Sequence, residues 1–324
     1  MEDEDENIII RFIFTVDVEV VPADATHVTV HESVKVIPSR TFDRHRNILE
    51  FECHDGVEKV EEDAFYYCPS LRRVKIPGVK IVEKWAFWCC RDLADVECDK
   101  LERIGGFAFS YCDSLRSINL PSVKIVEKYA FNRCTGLTDV TFGDKLERIE
   151  RWAFDNCESL ERIAIPLSND IIDDDDDDDD VYRSLFTYHG SCDVFTRCEN
   201  LKHVDLVGGV HETIAALPVD EWRNDMNAAI DAINQILPNT PAGRYVRHDY
   251  VVEGGKGRAV KRWIRSVLCK IVDYKQRHCS MLTEATATLV EKLALLPQDI
   301  VINNVLPFLD LPSFTFEVEE QGKC

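Results

Sequence analysis

Phenylalanine recurs through the first two-thirds of this chain at a spacing that admits few folds. Phe65, Phe87, Phe109 and Phe131 stand 22 residues apart; Phe42 leads them by 23, Phe154 follows by 23 and Phe195 by 41. A cysteine lies three positions after six of the seven (Cys68, Cys90, Cys112, Cys134, Cys157 and Cys198), and His45 takes that place in the first unit. Six positions after each Phe come Ile48, Leu71, Leu93, Leu115, Leu137, Leu160 and Leu201. Nine after come Phe51, Val74, Val96, Ile118, Val140, Ile163 and Val204, and eleven after come Cys53, Ile76, Cys98, Leu120, Phe142, Ile165 and Leu206. Self-similarity at a fixed short period marks a solenoid, in which no unit can bury its apolar side alone and its neighbours must cover it.

The LxxLxL pattern within each unit is the sequence signature of a leucine-rich repeat. Its alternating second half makes a short strand with Val74 and Ile76, for example, turned inward. A further apolar pair precedes each Phe, as in Val79 and Val82, Leu101 and Ile104, Val123 and Val126, or Leu146 and Ile149, and lines the return side of the coil. Units of the type PSVKIVEKYAFNRC alternate with units of the type DKLERIERWAFDNC, which implies duplication of a two-unit block and a regular superhelix. The expected fold is α/β: a leucine-rich-repeat solenoid of about seven 22–23-residue units with a short parallel sheet, capped by a C-terminal α-helical domain. The expected divisions are an acidic N-terminal segment with a leading strand at 1–23, the solenoid at 24–211, the helical domain at 212–312 and a tail at 313–324.

The string A-F-x-x-C-x-x-L-x-x-[VI]-x-[ILF]-P resembles the BspA-type leucine-rich repeats over roughly residues 24–211. That resemblance implies a curved solenoid used in adhesion or protein interaction, and it carries no catalytic residues. It also implies that the recurring cysteine is a packing residue. Many members are displayed on surfaces, whereas this chain opens MEDEDEN, without the basic region and apolar stretch of a signal peptide.

The thirteen cysteines are odd in number and contain no CxxC pair. Neighbouring rungs lie about 5 Å apart, so spacing alone does not forbid a bridge. A repeated inward column nevertheless needs nothing beyond the small buried hydrophobe that free Cys already is. Cys53 and Cys98 stand in an aliphatic column and read as core. Cys192, Cys269, Cys279 and Cys324 match no zinc spacing.

Between the inward residues of each strand lie those expected on the concave, solvent-facing side: Glu50 and Glu52; Arg73 and Lys75; Asp95 and Glu97; Ser117 and Asn119; Asp139 and Thr141; Arg162 and Ala164; His203 and Asp205. The first three pairs alternate acid, base, acid, which suits a ladder that satisfies itself. The candidate protein-binding surface is Arg73, Lys75, Asp95, Glu97, Ser117, Asn119, Asp139, Thr141 and Arg162, with the less charged centre around Asn119 and Thr141 as the better contact. Trp85, Trp88, Phe107, Tyr111, Tyr129 and Trp152 flank the Phe column. Aromatics are favoured at binding hot spots, but at this spacing packing between rungs accounts for them.

About 18 residues are added to the last repeat, giving an acidic, disordered insertion at 167–190 that includes eight successive aspartates at 173–180. It reads as a solvated loop or as an electrostatic arm for a basic partner. Beyond Leu206 the period becomes helical. Trp222, Met226, Ala229, Ile230, Ile233 and Leu237 mark one helix, ended by Pro238. A second runs from about 258 to 295 with a seam of Val260, Ile264, Val267, Ile271, Tyr274, His278, Met281 and Ala285, and a third covers 299–309. Folded as a hairpin plus a cap, they would shield the last rung. Residues 244–277 hold ten Lys or Arg against three acids, a basic stretch in an acidic chain. The GGKG within it lacks the GxxxxGK[ST] of a phosphate loop.

A formal net charge of -21 disfavours nucleic acid and membrane surfaces, and no segment approaches ~18 continuous apolar residues. No GxSxG, HExxH or dinucleotide fingerprint is present, so neither catalytic residues nor a cofactor nor a metal is expected. The chain reads as a protein-interaction scaffold, cytoplasmic or nuclear and not secreted, with no small-molecule ligand expected. The alternative is an adaptor whose C-terminal helices dock a larger assembly while the repeats recruit a substrate protein.

Overall fold

A computed structural model describes residues 9–15, 20–168, 171–172, 193–243 and 255–293. The alternating apolar pattern produces two stacks of short parallel strands joined by tight corners. The front stack holds β1 (Arg11–Phe14), β2 (His27–Val30), β4 (Glu50–Glu52), β6 (Arg73–Lys75) and β8 (Asp95–Glu97) as one sheet. It continues as a second sheet of β10 (Ser117–Leu120), β12 (Asp139–Phe142), β14 (Arg162–Pro166) and β15 (His203–Val207). The apolar pair ahead of each Phe forms the return sheet: β3 (Val36–Ile37), β5 (Lys59–Val60), β7 (Ile81–Val82), β9 (Arg103–Ile104), β11 (Ile125–Val126) and β13 (Arg148–Ile149), unbroken through all six. The result is a parallel β-solenoid of leucine-rich-repeat type, about six turns long, followed by helices.

Within it the Phe rings form a continuous stack. Centroids are 4.7 Å apart from Phe42 to Phe65, 4.9 Å to Phe87, 5.2 Å to Phe109, 5.4 Å to Phe131, 5.2 Å to Phe154 and 5.9 Å to Phe195, all near parallel. These separations lie close to the 4.7–4.9 Å between neighbouring strands. They also suit aromatic pairs, which add about 0.5–1.5 kcal/mol beyond burial. Each arc satisfies its backbone by alternation. Trp85, Phe87 and Cys89 donate their N–H groups to Gly106, Ala108 and Ser110 of the next coil, while Ala86, Trp88 and Cys90 donate three residues back within their own. The chain turns sharply enough to do this through two left-handed residues per coil, two before and two after Phe: Trp85 and Cys89, Phe107 and Tyr111, Tyr129 and Arg133. None of these is glycine, so each costs roughly 1–2 kcal/mol, offset by the ring stack and the ladder.

The return side carries past β13. Ile171 and Ile172 are buried, the Ile149 N–H donates to the Ile171 carbonyl, and Ile172 bridges to Ile149 in parallel. Ile171 and Ile172, within the stretch expected as an acidic insertion at 167–190, are thus buried, with Ile172 in the return column of Ile149. The aspartate run at 173–180 lies outside the described residues, as does the helix expected at 299–309.

Three helices follow: α1 (Val210–Ala215), α2 (Asp220–Ile236) and α3 (Lys256–Leu293). The six residues of α1 are too few to show a helical period, which is why it was not expected. Met226, Ile230, Ile233 and Leu237 of α2 and its exit turn join Val260, Trp263, Ile264 and Val267 of α3 in the same apolar core as the coils. Trp263 Nε1 donates to the Ala229 carbonyl at 2.8 Å, and the Val204 N–H of the last front strand donates to Asn234 Oδ1 at 2.8 Å. The helices thus cover the last rung.

The joint between solenoid and α3 is built on one buried carboxylate. Asp193 accepts the N–H of Phe195 at 2.8 Å and, at the start of α3, the N–H groups of Gly257 at 2.9 Å and Arg258 at 3.4 Å. Gly255 and Gly257 permit this approach, since a Cβ on them would fall 2.0 Å and 2.5 Å from the Asp193 oxygens. Lys256 between them is buried and donates to the carbonyls of Glu199 at 2.8 Å and Leu201 at 2.6 Å. Burial raises the Asp193 pKa against the pull of its N–H donors, and lowers that of Lys256.

Two outcomes are expected in urea unfolding. Asp193→Ala should destabilise the chain by about 2–4 kcal/mol, since three buried N–H groups lose their acceptor, and Asp193→Asn by less. Arg44→Gly, at an exposed left-handed position (φ 59°), should instead stabilise by about 0.5–1 kcal/mol through relief of backbone strain.

Candidate functional site

Strand register places the front-face side chains in two rows. One row runs Arg11, His27, Glu50, Arg73, Asp95 and the other Ile13, Thr29, Glu52, Lys75, Glu97. Beyond the division of the sheet they resume as Ser117, Asp139, Arg162, His203 and as Asn119, Thr141, Ala164, Asp205. The face therefore begins two rungs earlier than the sequence columns suggested. Arg11, Ile13, His27 and Thr29 were missed because their strands carry no Phe-Cys landmark. The alternation in RFIF and HVTV was the available signal.

The first rungs pair internally. Lys75 Nζ meets Glu52 at 3.1 Å, Arg73 Nε meets Asp95 at 3.0 Å, and His27 Nε2 lies 3.6 Å from Glu50. The hydrogen bond to Glu52 holds the Lys75 ammonium above its ordinary pKa. At the far end Arg162 Nε meets Asp205 at 3.4 Å. Ala164, expected on the open face, is nearly covered at 8% exposure. It is a methyl group in register between Thr141 and Asp205, too short to reach past them.

Four of the nine candidate residues are thus engaged with their neighbours (Arg73, Lys75, Asp95 and Arg162). Glu97, Ser117, Asn119, Asp139 and Thr141 form a continuous stretch between the two paired ends, all of them exposed. Among the described residues neither Glu97 nor Asp139 has an ion-pair partner within 4 Å. The same stretch spans the division of the front sheet between β8 and β10. Val96 beside it is only partly buried, where Val74 and Val140 of the same column are fully so.

Other features singled out in the sequence are occupied by packing. Each column thiol donates to the Phe carbonyl of the preceding coil: Cys68 to Phe42, Cys90 to Phe65, Cys112 to Phe87, Cys134 to Phe109, Cys157 to Phe131 and Cys198 to Phe154, at 3.0–3.5 Å. Burial raises the thiol pKa of Cys112 and Cys134, and pushes Cys98 up to about 12. A thiol held protonated is neither a nucleophile nor a metal ligand. The flanking aromatics stack on one another, Phe107 on Tyr129 at 4.6 Å and Tyr129 on Trp152 at 5.1 Å, with Lys84 Nζ 3.9 Å from the Trp85 ring. Their faces are filled by neighbouring rings and cations. Among the described residues no three His, Cys, Asp or Glu side chains are placed to hold a metal ion, and no helix is long and apolar enough to cross a membrane.

Residues 23–123 and 102–175 match the family described as BspA type leucine rich repeat region, in six copies. Among solved structures, a leucine-rich repeat protein from Bacteroides ovatus is 28% identical, covering 44% of this chain and 37% of its own, with a TM-score of 0.41. One from Eubacterium ventriosum is 25% identical over 44% of this chain and 40% of its own, with a TM-score of 0.41. The leucine rich repeat protein of T. pallidum is 17% identical over 68% and 83%, with a TM-score of 0.34. The matched part spans less than half the length of the first two proteins. No curated protein matches the chain.

Thiol labelling of the native protein at pH 8 should reach Cys269 and Cys279, which are exposed. Cys68, Cys90, Cys112, Cys134, Cys157 and Cys198 should react only after denaturant is added. Mass mapping of the labelled peptides reads this directly, and modification of the column in folded protein would show that the coils open.

Proposed function

Because residues 23–175 are a BspA-type leucine-rich-repeat region, we propose that this chain is a protein-binding scaffold whose contact surface is the front-face stretch Glu97, Ser117, Asn119, Asp139 and Thr141. Leucine-rich-repeat proteins are in general protein-binding or surface repeat scaffolds, and no catalytic residue enters this reading. The observation that carries it is the contrast along one sheet face. Ends that satisfy their own charges gain little from a partner, because forming the complex would first break existing pairs. Of the two carboxylates at the centre, Glu97 acts on Lys75 only from beyond ion-pair distance, and Asp139 has no ion-pair partner among the described residues.

Glu97 and Asp139 belong to strands two rungs apart, or about 10 Å. The hydroxyl of Ser117 and the amide of Asn119 lie on the strand between them, with the Thr141 hydroxyl on the strand of Asp139. That arrangement suits a partner segment that brings Lys or Arg to the carboxylates and backbone groups to the polar centre. Such electrostatic complementarity acts chiefly on specificity and association rate, and it weakens with salt.

The double substitution Glu97→Lys/Asp139→Lys is expected to abolish recovery of the partner in cross-linking pull-downs from the native host. Urea stability should stay within about 0.5 kcal/mol, as exposed surface changes usually do. A matched reversal on the return sheet, Lys59→Glu/Glu83→Lys, preserves the 2.8 Å ion pair there in swapped form and should leave recovery unchanged. Equal recovery by all three proteins would remove the front face from consideration.

A further inference from the structure

Helix α3 outruns the helix that covers it. Its hairpin with α2 ends where Trp222, two residues into α2, stacks on Tyr274 at 5.0 Å, and where Asp225 takes hydrogen bonds from Lys270 and Tyr274 at 2.6 Å each. From there α3 continues to Leu293, about 28 Å further at 1.5 Å per residue. The seam that packs on α2 upstream does not stop. Val260, Trp263, Ile264, Val267 and Tyr274 are buried, and the same face continues through His278, Met281 and Ala285 in steps of four, three and four. There the burial ends: Met281 is 49% exposed and Ala285 is exposed.

We propose that a second copy of this chain covers the seam, with the two projecting ends of α3 packed antiparallel about a twofold axis close to Met281. The charges beside the seam select both the occupant and its direction. Arg277 stands one position before His278, and Glu284 one position before Ala285, so the basic and acidic residues flank the same edge one heptad apart. In an antiparallel pair Arg277 of each copy faces Glu284 of the other, and the contact occurs twice by symmetry. His278 of each copy then packs beside Met281 of the other. A parallel pair would instead place the Arg277 edge of one helix against the Leu282 edge of the other, where no carboxylate meets it. Arg277 already holds Asp273 at 2.9 Å on its own helix, an exposed pairing that leaves the rest of its guanidinium fork available. Glu284 has no ion pair among the described residues.

The test is sedimentation equilibrium of the full chain across the micromolar range. Twice the 37.1 kDa chain mass is expected, with Met281→Lys shifting the protein to monomer while its circular dichroism is unchanged. Arg277→Glu and Glu284→Arg should each weaken the dimer at least ~10-fold, and the two together should restore it to within ~3-fold of the parent, as a directly paired contact does in a double-mutant cycle. A parent that stays monomeric overturns the proposal, as does a double variant no better than the singles. If the parent is monomeric and Met281 nevertheless resists peroxide oxidation, the seam is covered from within the same chain, and the second copy is excluded.

Discussion

A coil of 22 residues has one apolar side per strand and no second layer of its own to bury it against. What makes such coils a protein is the repeat distance. Parallel strands stack at a fixed spacing, and a Phe ring stacks on a Phe ring at nearly the same one, 4.7–5.9 Å along the column. Because the two distances agree, the ladder and the ring stack reinforce each other without either being stretched. The other features follow from that agreement. The left-handed residues two before and two after Phe, present at every column position from Phe42 to Phe154, are tolerated because they aim alternate N–H groups at the next coil. The buried cysteine fits the same scheme, its thiol donating to the Phe carbonyl of the preceding coil.

The same constraint explains what the sequence made legible. A column is visible when one residue type must recur, and Phe, Cys and Leu recur because stacking leaves no latitude for volume. The solenoid, its front strands and its return pairs could therefore be read without a structure. A leading strand was legible ahead of the first Phe, but the place of Arg11, Ile13, His27 and Thr29 on the front face was not, since their strands share only the alternation of RFIF and HVTV. Ile171 and Ile172 escaped because the aspartates that follow them dominate the composition of that stretch. Ala164 escaped because parity assigns a face, whereas exposure also depends on the length of the neighbouring side chains. Nor does sequence disclose which front-face charges are satisfied, because that depends on side-chain reach across a register set by the coils.

The end of the stack poses the opposite problem. A last rung has no successor, and here the chain substitutes helices, fastened by a device that looks from sequence like a fragment of something else. GGKG suggests a phosphate loop with its remaining residues missing. In the structure Gly255, Gly257 and the first turn of α3 do cradle an anion, and the anion is Asp193 of the solenoid itself. Helix N-termini favour negative charge for reasons indifferent to its source. Asp193 also stands two residues before Phe195, the position that in earlier coils aims an N–H at the next rung. At the last rung its side chain takes over the connection and receives N–H groups from α3. Lys256 completes the joint by donating to Glu199 and Leu201 carbonyls that have no further coil to serve.

The last rung, the projecting end of α3 and the front face each turn on which groups are left unsatisfied. Where neighbouring front strands carry opposite charges, those charges pair with one another. This is the state of the front face from Glu50 to Asp95 and again at Arg162 and Asp205. Where succession is interrupted, groups remain to be satisfied from elsewhere. Within the chain, the last rung is satisfied by α2 and α3. At the division between β8 and β10 Glu97 is left facing solvent, as are Asp139 on the fully paired strand β12 and Met281 on the projecting end of α3. The proposed contacts on the front face and on α3 both lie where neighbouring residues leave groups unpaired or uncovered.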